Sequence, residues 1–119
     1  MDNQLEQTRD SWVNAFFTGN YVLLAELEDQ KFKVINEKKG TVESNLTRYE
    51  KIAHAVQNGV WKPQKPSVLS EEFEFDRDLT SCKITIHLEN EAILIQELWV
   101  FEEQWKIIEL RFCKPNNEN

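Results

Sequence analysis

Between Ala92 and Phe101 the chain is apolar on both parities. Ile93, Ile95, Trp99 and Phe101 share one side with Glu97, and Ala92, Leu94, Leu98 and Val100 share the other with Gln96. A period-two run of this kind is a strand, and a strand with two apolar faces must be covered on both. The polar link Glu102-Glu103-Gln104 leads straight into a second run, Trp105 to Phe112, so the two read as a hairpin. Applied upstream, the same reading gives strands over 67–75, 79–88, 91–101 and 105–113, joined by Asp76-Arg77-Asp78, Glu89-Asn90 and residues 102–104, an antiparallel meander. Three of the four tryptophans (Trp61, Trp99, Trp105) lie in or beside these runs, which predicts a twisted sheet around an aromatic-lined hollow.

The first half reads differently. Leu5, Trp12, Val13, Phe16 and Phe17 fall at helical spacing up to Thr18, and Gly19 follows where a left-handed helix end is common. Asn20 caps a second, shorter helix with Leu23, Leu24 and Leu27, which Asp29-Gln30 ends before Lys31 to Ile35 turns to strand character. After a turn at Glu37 to Gly40, a third helix is capped by Ser44, Asn45 or Thr47, with Thr47-Arg48-Tyr49-Glu50 matching a capping box. Its expected apolar face is Leu46, Tyr49, Ile52, Ala53 and Val56, and Asn58-Gly59 ends it. Both prolines of Trp61-Lys62-Pro63-Gln64-Lys65-Pro66 then oppose helix. The nominal PxxP match there reads as a stiff connector. Early helices followed by late strands predict an α+β domain.

A length of 119 residues suits one domain, 1–119, that buries a core without a metal or disulfide staple. A net charge of −7 repels phosphate backbones and excludes nucleic acid as an expected partner. Met1 to Glu6 shows no basic region before an apolar stretch, and no run approaches a membrane span, so the expectation is a soluble cytoplasmic protein with no membrane partner. Cys82 and Cys113 lack metal-ligand spacing and read as buried or edge thiols, with a disulfide between them left open. His54 and His87 both read as solvated, and neither finds a third ligand, so neither a metal nor a cofactor is expected.

Three helices, a short strand pair and a long meander resemble the nuclear transport factor 2-like superfamily, which includes SnoaL-like and ketosteroid-isomerase-like proteins. The pieces that carry the resemblance are Trp12 to Asn20, Leu23 to Leu27 and the closing strand Trp105 to Phe112. It implies a cone-shaped α+β fold, three N-terminal helices packed in a curved antiparallel sheet around an apolar pocket, with dimers formed through the outer sheet face. The helices of so short a chain cover only one face of the sheet. A homodimer is therefore expected to cover Leu94, Leu98, Val100, Ile108, Leu110 and Phe112, unless the C-terminal tail or a long loop does so.

With simple hairpin registers, Cys82 faces Glu97, and Glu97 faces Glu109 with Arg111 diagonal to it. Two carboxylates in an apolar hollow do not both ionise cheaply, which makes Glu97 and Glu109 the candidate acid–base pair; an Arg-neutralised surface pair is the alternative. Ketosteroid isomerases use a carboxylate base, a tyrosine and a protonated acid. The resemblance puts Asn36, Trp12 and Glu97 at those positions, a set without a base, since an amide takes no proton. No residue here can be placed on the pocket wall as the His and Asp of SnoaL-like cyclases. Trp12, Phe16, Asn36, Tyr49, Glu97 and Trp99 are the expected ligand-binding residues, and the leading expectation is a dimeric domain that binds a small, mainly apolar molecule. An isomerase, cyclase or dehydratase using a pocket carboxylate, and a protein-interaction module, are the alternatives.

Overall fold

The computed structural model describes residues 3–89 and 93–114, and of Asn3 the backbone alone. Helices α1 (Asn3–Thr18) and α2 (Tyr21–Leu27) come first, then strands β1 (Glu28–Asn36) and β2 (Thr41–Ser44), helix α3 (Asn45–Gln57), and strands β3 (Val68–Phe75), β4 (Ser81–Leu88), β5 (Leu94–Glu102) and β6 (Gln104–Cys113). One six-stranded sheet has the order β2-β1-β6-β5-β4-β3. The meander β3 to β6 is antiparallel as expected, while β1 joins β6 in parallel, which makes the sheet mixed.

Local chemistry sets the element ends. Gly19, at φ +74°, turns the chain between α1 and α2, and the Asn20 side chain accepts a hydrogen bond from Leu23 N. The helix then stops at Leu27, and β1 begins at Glu28, three residues before the expected Lys31, because the Glu28 carboxylate is anchored inside the fold. Ser44 caps α3 by accepting from Thr47 N at 3.4 Å, so Thr47 sits within the first turn and the Thr47–Glu50 box does not form. The buried face of α3 is also rotated from the one expected. Leu46 and Val56 are exposed, whereas Arg48 and Ile52 are buried.

The helices pack against the inner face of the sheet. Leu5, Trp12, Ala15, Leu24 and Ile52 meet Phe32, Cys82, Ile84, Ile86, Leu88, Trp99, Trp105 and Ile107 in one core. Trp61 anchors the proline segment: its indole N–H donates at 2.7 Å to the Phe16 carbonyl, which also accepts from Gly19 N at the end of α1.

One bulge corrects the expected register. Leu98 pairs with Glu109 but Trp99 pairs with Ile107, so Ile108 is extra. In a bulge two residues of one strand oppose one of the other, and the alternation changes parity there. Trp105 and Ile107 point inward before it, and Leu110 and Phe112 after it, which takes these last two off the outer face. The bulge sets Glu97 opposite Leu110 instead of the expected Glu109, and separately the β4–β5 register sets Cys82 opposite Trp99 instead of the expected Glu97. No disulfide joins Cys82, on the inner face, to Cys113, whose partner Leu94 is on the outer one. Ala92 and the tail 115–119 lie outside the described residues, and so does any cover that the tail would give the outer face.

Candidate functional site

Two charged clusters occupy the interior. The first is built on Glu28, whose side chain is fully buried. It accepts from Trp12 Nε1 at 2.8 Å, from Tyr49 Oη at 2.6 Å, and from Arg48 Nη1 at 3.0 Å on both oxygens. The Arg48 guanidinium lies 5.0 Å from the centroid of the Phe32 ring. Burial first, and then the bond to Glu28, push the Tyr49 phenol above its ordinary range.

The second cluster is built on Glu97, 3 % exposed. Arg9 donates to it from Nε at 2.6 Å and from Nη2 at 2.9 Å, and Trp99 Nε1 donates at 2.9 Å. The same guanidinium reaches Glu71 at 3.0 and 3.3 Å, tying α1 to β3 as well as to β5. Burial pulls Arg9 down, but the bonds to Glu97 and Glu71 outweigh it and raise the guanidinium further. The clusters meet through their tryptophans, since the Trp12 and Trp99 rings pack edge to face at 5.7 Å.

Four of the six expected ligand-binding residues, Trp12, Tyr49, Glu97 and Trp99, are therefore brought together, bonded to partners within the protein. Phe16 lies apart, against Phe17 and Trp61. Asn36, at the end of β1, accepts from Lys39 N in the turn and lines an open cleft of about 700 Å³ with Val34, Thr41, Ser44, Thr47 and Phe112. Glu43 and Lys51, which form an ion pair, close one side of that cleft. Glu109 is on the opposite sheet face from Glu97 and accepts from Arg111 Nε at 3.0 Å, so the carboxylate pair does not form. Neither Glu28 nor Glu97 lines the cleft.

Glu28, Arg48, Arg9 and Glu71 were not among the expected site residues. Their signal was an arginine inside an apolar helical stripe: Leu5, Arg9, Trp12 and Phe16 recur at i, i+4, i+7 and i+11, and Arg48, Tyr49 and Ile52 share a face. Among the described residues no three His, Cys, Asp or Glu stand together as a metal site, and no helix is long and apolar enough to cross a membrane.

Known structures superpose on this arrangement of helices and sheet over nearly its whole length. An NTF2-like protein from Cytophaga hutchinsonii superposes with a TM-score of 0.70 at 12% identity, covering 91% of this chain and 93% of the other. An NTF2-like protein of unknown function in nutrient uptake from Rhodospirillum rubrum gives 0.71 at 12% identity, covering 92% and 97%. This chain has the nuclear transport factor 2-like fold. The CamKII hub homology domain of Chlamydomonas reinhardtii shares the fold, with a TM-score of 0.62 at 15% identity over 92% of this chain and 94% of the other. No family model matches the sequence, and no curated protein matches it. Within this NTF2-like fold Trp99, Phe32, Leu5, Leu24, Ile84, Ile107 and Cys82 are almost wholly buried on the side of the sheet where a hollow was expected.

Proposed function

We propose that this domain is a homodimeric interaction module that works by association and not by turnover. The observation that carries the reading is the outer face of the sheet. Leu94, Leu98 and Val100 of β5 stand there beside Ile108, half-buried, on the side away from the core. Apolar strips of this kind favour a partner surface, since each buried side chain contributes about 1.5–3 kcal/mol.

The charges around the strip are self-complementary. Lys83, Leu98 and Glu109 lie in one row across β4, β5 and β6. A two-fold axis along β5 stacks Leu98 on its copy and sets Lys83 of each protomer opposite Glu109 of the other, an isologous contact. Sedimentation velocity tests this. Leu98→Arg brings two like charges together at the axis and yields monomers of unchanged circular dichroism. Lys83→Glu alone weakens the dimer, and adding Glu109→Lys restores it. A wild-type monomer at micromolar concentration refutes the reading.

The cleft supports a second reading, a small-molecule site. Its floor of Val34 and Phe112 and its rim of Asn36, Lys39, Thr41 and Thr47 suit a ligand of mixed character better than a mainly apolar one. An enzyme reading using Glu97 or Glu109 has less support, because Glu97 is engaged by Arg9 and Trp99, and Glu109 by Arg111. Native mass spectrometry of the freshly purified protein reports subunit number and any retained ligand together. Phe112→Ala removing that ligand favours the cleft, and a ligand retained by this variant excludes it.

A further inference from the structure

From the free edge of β3 we infer a docking strip for an extended segment that alternates basic and apolar residues. β3 is the last strand of the sheet, and among the described residues β4 is the one strand beside it, with α1 reaching its inner face through Arg9 on Glu71 and Phe73. The opposite sheet edge, β2, has α3 beside it.

The ladder shows which backbone groups are open. Asp76 N donates to Ser81 O, and residues of an antiparallel pair turn alternately toward and away from each other. Glu74, Glu72 and Ser70, opposite Lys83, Thr85 and His87, therefore direct their N–H and C=O groups at β4. Those of Glu71, Phe73 and Phe75 point to the free edge. An incoming strand that pairs with them extends the sheet, with main-chain bonds giving affinity and alternate side chains giving selectivity.

The side chains specify the occupant. On the outer face such a strand meets Glu72 and Glu74, each 64% exposed and held loosely by His87 at 3.8 Å and Lys83 at 3.6 Å. On the inner face it meets Phe73 and Phe75, the latter edge-on to Trp105. Cross-strand pairing favours lysine or arginine opposite the glutamates and an apolar residue opposite the rings. A second copy of this chain is the wrong partner. Antiparallel self-pairing about Phe73 sets Glu72 against Glu74, and shifting by one pair sets Glu72 or Glu74 against itself, so like charges meet in each of these registers.

The probe is a capped seven-residue peptide alternating lysine and valine, compared with one alternating glutamate and valine. Fluorescence anisotropy reads affinity, and amide hydrogen exchange by NMR reads the position. The lysine peptide binds, and slows exchange at Glu71, Phe73 and Phe75. The double variant Glu72→Lys, Glu74→Lys, altered only on exposed side chains, loses roughly tenfold in affinity for it and gains the glutamate peptide. Absence of binding at millimolar peptide overturns the proposal. So does protection located elsewhere, binding that survives the charge reversal, or β3 protection that grows with protein concentration without peptide, the signature of a second copy.

Discussion

Replacing Glu28 by leucine removes the acceptor of four hydrogen bonds in a site closed to water, and the structure sets the size of the effect. Arg48, 7 % exposed, keeps its charge and loses its only ion-pair partner among the described residues. Breaking a buried pair from one side costs about 3–5 kcal/mol. The Trp12 indole N–H loses its bond as well, while the half-buried Tyr49 hydroxyl can turn toward water. A loss of about 4 kcal/mol is expected, a large share of the roughly 5–15 kcal/mol that holds a domain together. At about 4 °C per kcal/mol for a chain of 119 residues, the melting temperature falls by roughly 15 °C. The double variant Glu28→Leu, Arg48→Met removes both charges and recovers about half of the loss, since a buried pair replaced by apolar groups is often near neutral. Urea unfolding at pH 7 measures both variants and gives their coupling as a double-mutant cycle. Absorbance titration supplies an independent readout, because the Tyr49 phenol falls back toward its ordinary range without Glu28 beside it. A single variant that loses less than about 1 kcal/mol, or a double variant no better than the single, refutes the description of this cluster as a buried, mutually dependent set.

Three further outcomes follow from the geometry. Gly19→Ala strains a backbone at φ +74° and places a Cβ 2.6 Å from Val56 Cγ2 and 2.9 Å from Trp61 Cδ1, so chemical denaturation shows a loss of about 2 kcal/mol or more. Leu79, exposed with φ +60°, occupies a conformation that favours glycine; Leu79→Gly stabilises by about 0.5–1 kcal/mol, and a destabilised variant contradicts the strain argument. Asp76 accepts from Thr80 N, Ser81 N and the Thr80 hydroxyl, and although desolvation opposes them, these bonds hold its carboxyl below the ordinary value of 3.8. A depressed folded-state value means that the group stabilises the fold above 3.8 and ceases to do so as the pH falls through the depressed value. Asp76→Asn is therefore less stable than the wild type at pH 7, and in urea titrations from pH 7 to 2 the gap closes on the acid side; a gap independent of pH sinks the assignment.

Period and punctuation made the fold legible. Alternation over 67–113 located the four meander strands to within a few residues, and Gly19 with Asn20 marked the break between the first two helices. What propensity did not carry was the pairing of β1 with β6, which are far apart in sequence and join in parallel. The rotated face of α3 has a more specific cause. Hydrophobicity alone places Leu46 and Val56 in the core, but the helix phase follows Arg48 reaching Glu28. A buried ion pair contributes to that choice in a way no count of apolar residues records. The same holds on α1, where Arg9 sits inside the apolar stripe because Glu97 waits beneath it.

A single residue decides what Glu97 can do. With a regular β5–β6 ladder Glu109 would share its face, and the interior would hold two adjacent carboxylates. The bulge at Ile108 turns Glu109 outward to Arg111 and turns Leu110 inward against Glu97. It also reverses Arg111 and Phe112, giving the outer face a cation and moving an aromatic ring to the cleft. Hydrophobic pattern leaves the bulge invisible, because Ile107, Ile108 and Leu110 are all apolar and either parity satisfies the core. Deleting Ile108 removes only the extra residue, so Ile107 still pairs with Trp99, Glu109 with Leu98 and Leu110 with Glu97, and all five residues up to Cys113 keep their faces. Glu97 thus keeps Arg9 and Trp99 as its partners, Glu109 stays on the outer face, and Leu110 and Phe112 stay inward. The deletion variant is therefore expected to keep the native interior and to lose the contribution of Ile108 to the outer face, which urea unfolding and sedimentation velocity measure; a variant that unfolds refutes the assignment of Ile108 as the extra residue. Glu109→Gln likewise alters the charge on the outer face while leaving the interior unchanged.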